Sequence, residues 1–141
     1  MNSRMNARSA TKVAYHLERP KTVKRKLPAD PQALWQERVK LLKVVAHPTR
    51  LVILDALLGG SKCVKDLNCL VPVPQPNFSQ HMAALRKAKL VGNHADGTLR
   101  CYYILCPSLV AGLIQTLRAE HPICYRGRED VQREAKALHK R

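Results

Sequence analysis

The chain has 141 residues, enough for one domain with tails. Its 25 Lys and Arg against 10 Asp and Glu leave a formal charge of +15, which points to an anionic partner and away from an enzyme built on paired carboxylates. With one Trp and one Phe, the core must come mostly from Leu, Val, Ile and Ala, which favours packed helices over a large sheet, and no apolar run approaches the roughly 20 residues of a membrane span.

Residues 1–30 read as a basic, disordered arm. They carry Arg4, Arg8, Lys12, Arg19, Lys21, Lys24, Arg25 and Lys26 against Glu18 and Asp30. The functional reading of this arm is contact with DNA phosphates, where each positive charge releases a counterion. It lacks the apolar stretch of a secretory signal, although an Arg-rich, acid-poor mitochondrial presequence has a similar composition. The five cysteines, Cys63, Cys69, Cys101, Cys106 and Cys124, are odd in number and include no C-x-x-C pair. A disulfide framework is therefore not expected, and a reducing cytoplasm is the default location.

Residues 31–122 are expected to form the domain. A first helix is predicted over 32–46. Its apolar positions Leu34, Trp35, Val39, Leu41, Leu42, Val44 and Val45 cover much of its circumference, which calls for more than one packing partner. Pro48 opens a second helix with Leu51, Leu54, Leu57 and Leu58 along it, and Gly59-Gly60 ends it. Ser61 is the expected N-cap of a short third helix with Val64 and Leu67 inward. The prolines at 72, 74 and 76 make the following linker non-helical.

The next segment, QPNFSQHMAALRKAKLV over residues 75–91, is the most informative in the chain. Phe78, Met82 and Leu85 recur at helical spacing. Between them lie Asn77, Ser79, Gln80, His81 and Arg86, all able to hydrogen-bond and none acidic. Such a face suits a duplex groove. Gln75, Asn77, Ser79, Gln80 and His81 are the expected base-edge residues, with a supporting place in the core as the alternative for His81. Arg86 and Lys87 are expected on phosphate. Asp96-Gly97 then joins two extended runs as a hairpin, with Arg100 placed to reach a minor groove. Tyr102 and Tyr103 read as packing residues. A last core helix begins at Pro107 with Leu109, Val110, Leu113, Ile114 and Leu117, and residues 123–141 form a basic tail of mixed charge, in which the sequence allows a helix without requiring one. The order predicts a mainly α fold with a small β-hairpin wing, a winged helix-turn-helix.

Three segments carry a resemblance to a known family. Residues 46–54, AHPTRLVIL, residues 63–67, CVKDL, and residues 77–91, with Ser79, His81, Leu85, Arg86, Leu90 and Val91 in register, are together similar to the arsenic-repressor (ArsR/SmtB) family of bacterial transcriptional regulators. The resemblance covers residues 41–117. It implies a homodimer formed through helices 32–46 and 107–119, bound to double-stranded operator DNA as a repressor and released by an inducer, often a metal or metalloid ion. The chain departs from the family in its wing, where Thr98 replaces the usual basic residue after the turn glycine.

It departs again at the inducer site. Cys63 matches a sensor cysteine, but Lys65 stands where a second would be and Asn68 near where a third would fall, with Cys69 one position off. Cys63, Cys69 and Cys106 are the candidate ligands for a thiophilic metal or metalloid ion. The same cysteines read alternatively as redox thiols, with Cys63 or Cys106 foremost, or as inert small side chains. Leu109 and Glu120 lie near the positions of the family's zinc ligands, so that site is not expected. The main rival function is a winged-helix DNA-binding protein with an architectural or protein-partner role and no ligand sensing. RNA binding is disfavoured by the lack of aromatic platforms.

Overall fold

A computed structural model describes residues 21–138. Arg4, Arg8, Lys12 and Arg19 of the arm, with the rest of residues 1–20, lie outside the described residues, as do residues 139–141. The described elements are α1 (Pro31–Val45), α2 (Pro48–Leu58), β1 (Lys62–Cys63), α3 (Val64–Leu70), α4 (Gln75–Lys87), β2 (Val91–Asp96), β3 (Leu99–Ile104), α5 (Pro107–Arg118) and α6 (Arg128–Leu138). No helix among them is long and apolar enough to cross a membrane.

The helix starts follow local chemistry. Asp30 caps α1 by accepting from the backbone N–H groups of Gln32 and Ala33. The His47 ring caps α2, its Nδ1 accepting from Thr49 N–H at 3.2 Å. Proline occupies the first turns of α1, α2, α4 and α5, where its missing N–H costs no hydrogen bond. At the other end of α4, Lys89 takes φ 56°, the left-handed conformation usually left to glycine. Leu90 N–H then bonds to Leu85 C=O and Lys89 N–H to Arg86 C=O, at 3.1 and 2.9 Å, so the last carbonyls are satisfied. Relief of this left-handed strain should make Lys89→Gly more stable by about 1 kcal/mol, seen as a higher thermal midpoint. An unchanged or lower midpoint would show that glycine's greater chain entropy in the unfolded state cancels the gain.

Helix α2 runs through the centre of the core. Its Ile53, Leu54 and Leu57 are buried with Leu67 of α3, Phe78, Met82 and Leu85 of α4, Val91 and Tyr102 of the sheet, and Val110 and Ile114 of α5. An ion pair from Arg118 to Asp55 joins α5 to α2 at the surface. The sheet has the order β1-β3-β2 and is antiparallel throughout. Asp96 pairs with Leu99, so only Gly97 and Thr98 form the hairpin loop, and Gly97 takes φ 58°.

Two details differ from the sequence reading, and the open reading of the tail is resolved as a helix. The third helix is not capped by Ser61. Lys62 and Cys63 extend to pair with Tyr102 and Cys101 of β3, which moves the cap position to Cys63. The sheet therefore has three strands rather than the two of a bare hairpin. The tail contains a full helix, α6, that buries no residue and leaves Val131 and Leu138 exposed.

Candidate nucleic-acid interface

Helices α3 and α4 are joined by a turn in which Val71 is buried and Val73 packs against the core, so hydrophobic burial holds the angle between them. A polar brace adds to it. Asn68 Nδ2 of α3 donates to Gln75 Oε1 at the start of α4, at 2.7 Å. Helix α4 then divides cleanly. Phe78, Met82 and Leu85 are buried, while Gln75, Asn77, Ser79, Gln80, Arg86 and Lys87 are exposed. Pro74 at its cap position offers no side-chain acceptor, so the first turn of α4 keeps open N–H groups suited to an anion.

His81 differs from its exposed neighbours. Its half-buried ring packs on the His47 ring with centroids 4.4 Å apart, and its Nδ1 accepts from Arg50 Nε over a long 3.4 Å. Burial first, then the neighbouring His47 and Arg50, lower its pKa below the usual 6.5. A neutral ring that accepts at Nδ1 supports α4 on α2, the alternative that its sequence left open.

In the wing, Thr98 and Arg100 are exposed and Tyr102 is buried. The Tyr103 ring lies over Gly92 on the paired strand, so close that a Cβ there would come within 2.6 Å of Tyr103 Cζ. Tyr102 thus packs in the core, while Tyr103 covers Gly92 and stays partly exposed. Arg25, Lys26, Arg38, Lys40, Lys87 and Lys89 line a groove between the arm, α1 and the end of α4, with Glu37 its acidic member. This groove could not be read from spacing, because its members come from three separate segments.

The three cysteines considered as ligands are not gathered together. Cys63 and Cys69 border one cleft with Lys65, Asn68, Thr98, Leu99 and Arg100. However, α3 continues through Leu70 instead of ending between them, which keeps exposed Cys69 on the helix while Cys63 extends along β1. Cys106 is elsewhere, at the start of α5, where its thiol donates to Lys89 C=O at 3.6 Å. Among the described residues, no group of three His, Cys, Asp or Glu is placed to hold a metal ion. The neighbour of Cys63 is instead Cys101, with sulfurs 2.6 Å apart. That pairing was not legible, since a two-residue strand has no periodicity to announce it.

A family model described as "Bacterial regulatory protein, arsR family" matches residues 47–92, from the α2 cap into the first wing strand. An uncharacterised HTH-type transcriptional regulator of Methanocaldococcus jannaschii is 36% identical over 72 residues, covering 50% of this chain and 81% of that protein. The arsenical resistance operon repressor of Staphylococcus aureus is 34% identical over 83 residues, 59% of this chain and 79% of the relative. Among solved structures, reduced HlyU from Vibrio cholerae superimposes with a TM-score of 0.57 at 27% identity, covering 63% of this chain and 96% of that one. NolR from Sinorhizobium fredii gives a TM-score of 0.57 at 28% identity over 67% of this chain and 93% of its own. The family model thus spans the unit from the α2 cap into the wing, and this chain belongs to the ArsR family of winged helix-turn-helix transcriptional regulators.

Proposed function

We propose that this protein is a dimeric repressor that seats α4 in the major groove of operator DNA and lets go when a thiol-reactive or thiophilic inducer reaches its cysteines. The observation that carries the reading is the exposed face of α4, polar along its length and free of acidic side chains. Asn77, Ser79 and Gln80 are the base readers, since Asn and Gln pair bidentately with adenine and Ser suits several acceptors. Gln75 reaches the groove rim while bracing Asn68. Arg86, Lys87 and the basic groove hold phosphate, and Arg100 of the wing follows the adjacent minor groove. His81 acts through the position of α4. The basic arm of residues 1–30 lengthens the phosphate track, residues 31–122 carry reading and dimerisation, and the tail stands apart. Repressor names among the relatives support the direction of regulation. A cytoplasmic location accompanies this reading.

The test compares Gln80→Ala and Lys87→Ala on the duplex upstream of the protein's own gene and on random duplex. Gln80→Ala should lose about 1–3 kcal/mol on the specific site and little on random DNA. Lys87→Ala should weaken both alike and reduce the salt slope by about one. Equal losses on both duplexes for Gln80→Ala would remove it from the reading set. Equal affinity of the parent protein for both duplexes would favour the architectural role, to which the sequence-indifferent basic groove is also suited.

A further inference from the structure

We propose that Cys63 and Cys101 form a reversible cross-strand disulfide in the presence of a hydroperoxide, and that this bond weakens the hold on operator DNA. The inference deepens the repressor reading and rests on it for its second half. The first half rests on geometry. Cys63 and Cys101 are register partners in the antiparallel β1–β3 pair, and their sulfurs are 2.6 Å apart. Directly opposed residues of an antiparallel pair have Cα separations of about 4.5–5.5 Å, inside the range a disulfide spans, so no backbone movement is needed to close the bond. Both cysteines are half-buried, and Cys63 borders the open cleft shared with Lys65, Thr98, Leu99 and Arg100, which gives a small oxidant a way in.

The chemistry balances with a hydroperoxide as the two-electron oxidant. One thiolate attacks the peroxide, the O–O bond breaks, and a sulfenic acid and a hydroxide (or alkoxide) form. The second thiol attacks that sulfur, the S–S bond forms, the S–O bond breaks, and water leaves. Both thiol protons end on oxygen. At rest the pair favours the dithiol. The hydrogen bond to Cys101 first, then burial, then the charges of Cys101 and Asp66 raise the Cys63 pKa, which lowers its thiolate fraction and slows its reaction with peroxide.

The bond's position gives it leverage. Cys63 is the cap residue of α3, and Cys101 follows Arg100 in the wing strand. A link between them closes a loop that contains α3, α4 and β2, the whole reading unit. In the dithiol, β1 meets β3 through a pairing only two residues long, the weakest link between the start of α3 and the wing. The disulfide makes that link covalent.

The full chain would be treated with hydrogen peroxide and compared with its reduced form, alongside Cys63→Ser, Cys101→Ser and a variant with Cys69, Cys106 and Cys124 all changed to Ser. The expected result is a peptide pair joined at 63 and 101 in the parent and in the triple variant. Melting should rise by about 10 °C, reversed by dithiothreitol, because a loop of this length is closed in the unfolded chain. Affinity for the upstream duplex should fall at least fivefold in both oxidised proteins and stay within twofold in the two single Ser variants. A disulfide made instead with Cys69, Cys106, Cys124 or a second copy would overturn the site. So would sulfur acids without a crosslink. A mapped 63–101 bond with unchanged affinity would overturn the regulatory half. Peptide mapping and melting need no DNA, so failure of reduced protein to prefer the upstream duplex would count against the repressor reading and leave the disulfide to be judged separately.

Discussion

Glutamate at both Val39 and Leu42 is expected to turn the protein into a monomer and to weaken binding to its operator by about a hundredfold or more. Among the described residues, an apolar stripe on α1 is left uncovered. Trp35, Val39 and Leu42 recur at four and three residues, and they are 67%, 47% and 51% exposed. The opposite side of the same helix is satisfied, with Leu41 and Val44 packed against the core and Val45 buried. Helix α5 has the same division, with Val110 and Ile114 inward and Leu109 and Leu117 exposed. Apolar stripes of this kind on α1 and α5 suit burial against a second copy, and a two-fold dimer would present two α4 helices to two half-sites. Carboxylates at positions 39 and 42 would have to be desolvated at that interface, which opposes association. Because both positions are open to water in the single chain, its melting should move little. Sedimentation and operator titration check the outcome together. A variant that stays dimeric would place the interface elsewhere, and a monomer with undiminished operator affinity would remove the need for two half-sites.

What the sequence made legible follows from how each feature is encoded. The apolar spacing of Phe78, Met82 and Leu85 is local and lies on one helix, and all three are buried. Asp96-Gly97 marks the hairpin because the turn needs a positive φ at a particular place, and Gly97 supplies it. The prolines at helix starts act only on their own residue and the one before it. The features that escaped depend on partners far along the chain. Cys101 gains its meaning from Cys63 across a two-residue strand, and the orientation of His81 depends on Arg50, a residue that the family motif contains without declaring its task. Helix α6 was left open for a different reason. It buries nothing, so no apolar pattern had to be written for it.

Arg50→Ala is expected to cost about 2 kcal/mol of stability, a fall of about 8 °C in the thermal midpoint for a domain of this size. Arg50 sits in the first turn of α2 and reaches two other helices. Its Nη1 donates to Val44 C=O at 2.7 Å, a carbonyl near the C-terminal end of α1. A guanidinium there meets both an acceptor and the negative end of the helix dipole. Its Nε faces His81 of α4. One side chain thus closes α1 and steadies the reading helix, and Arg50→Lys should rescue only part of the loss because an ammonium lacks the fork that serves both directions. Operator affinity should fall with stability in Arg50→Ala, since the support of α4 goes with it. The same contact sets a pH dependence. The folded-state pKa of His81 lies below its ordinary value, so the stability from the neutral ring is complete above about pH 6.5 and is lost as pH falls below it, levelling once the folded ring is also protonated. A protonated His81 can no longer accept at Nδ1 and faces the positive Arg50. Melting curves between pH 7.5 and 5 should therefore fall more steeply for the parent than for His81→Gln. Parallel curves would mean that His81 is not the group being protonated, and an Arg50→Ala midpoint within 1 °C of the parent would mean that water replaces both of its hydrogen bonds without loss.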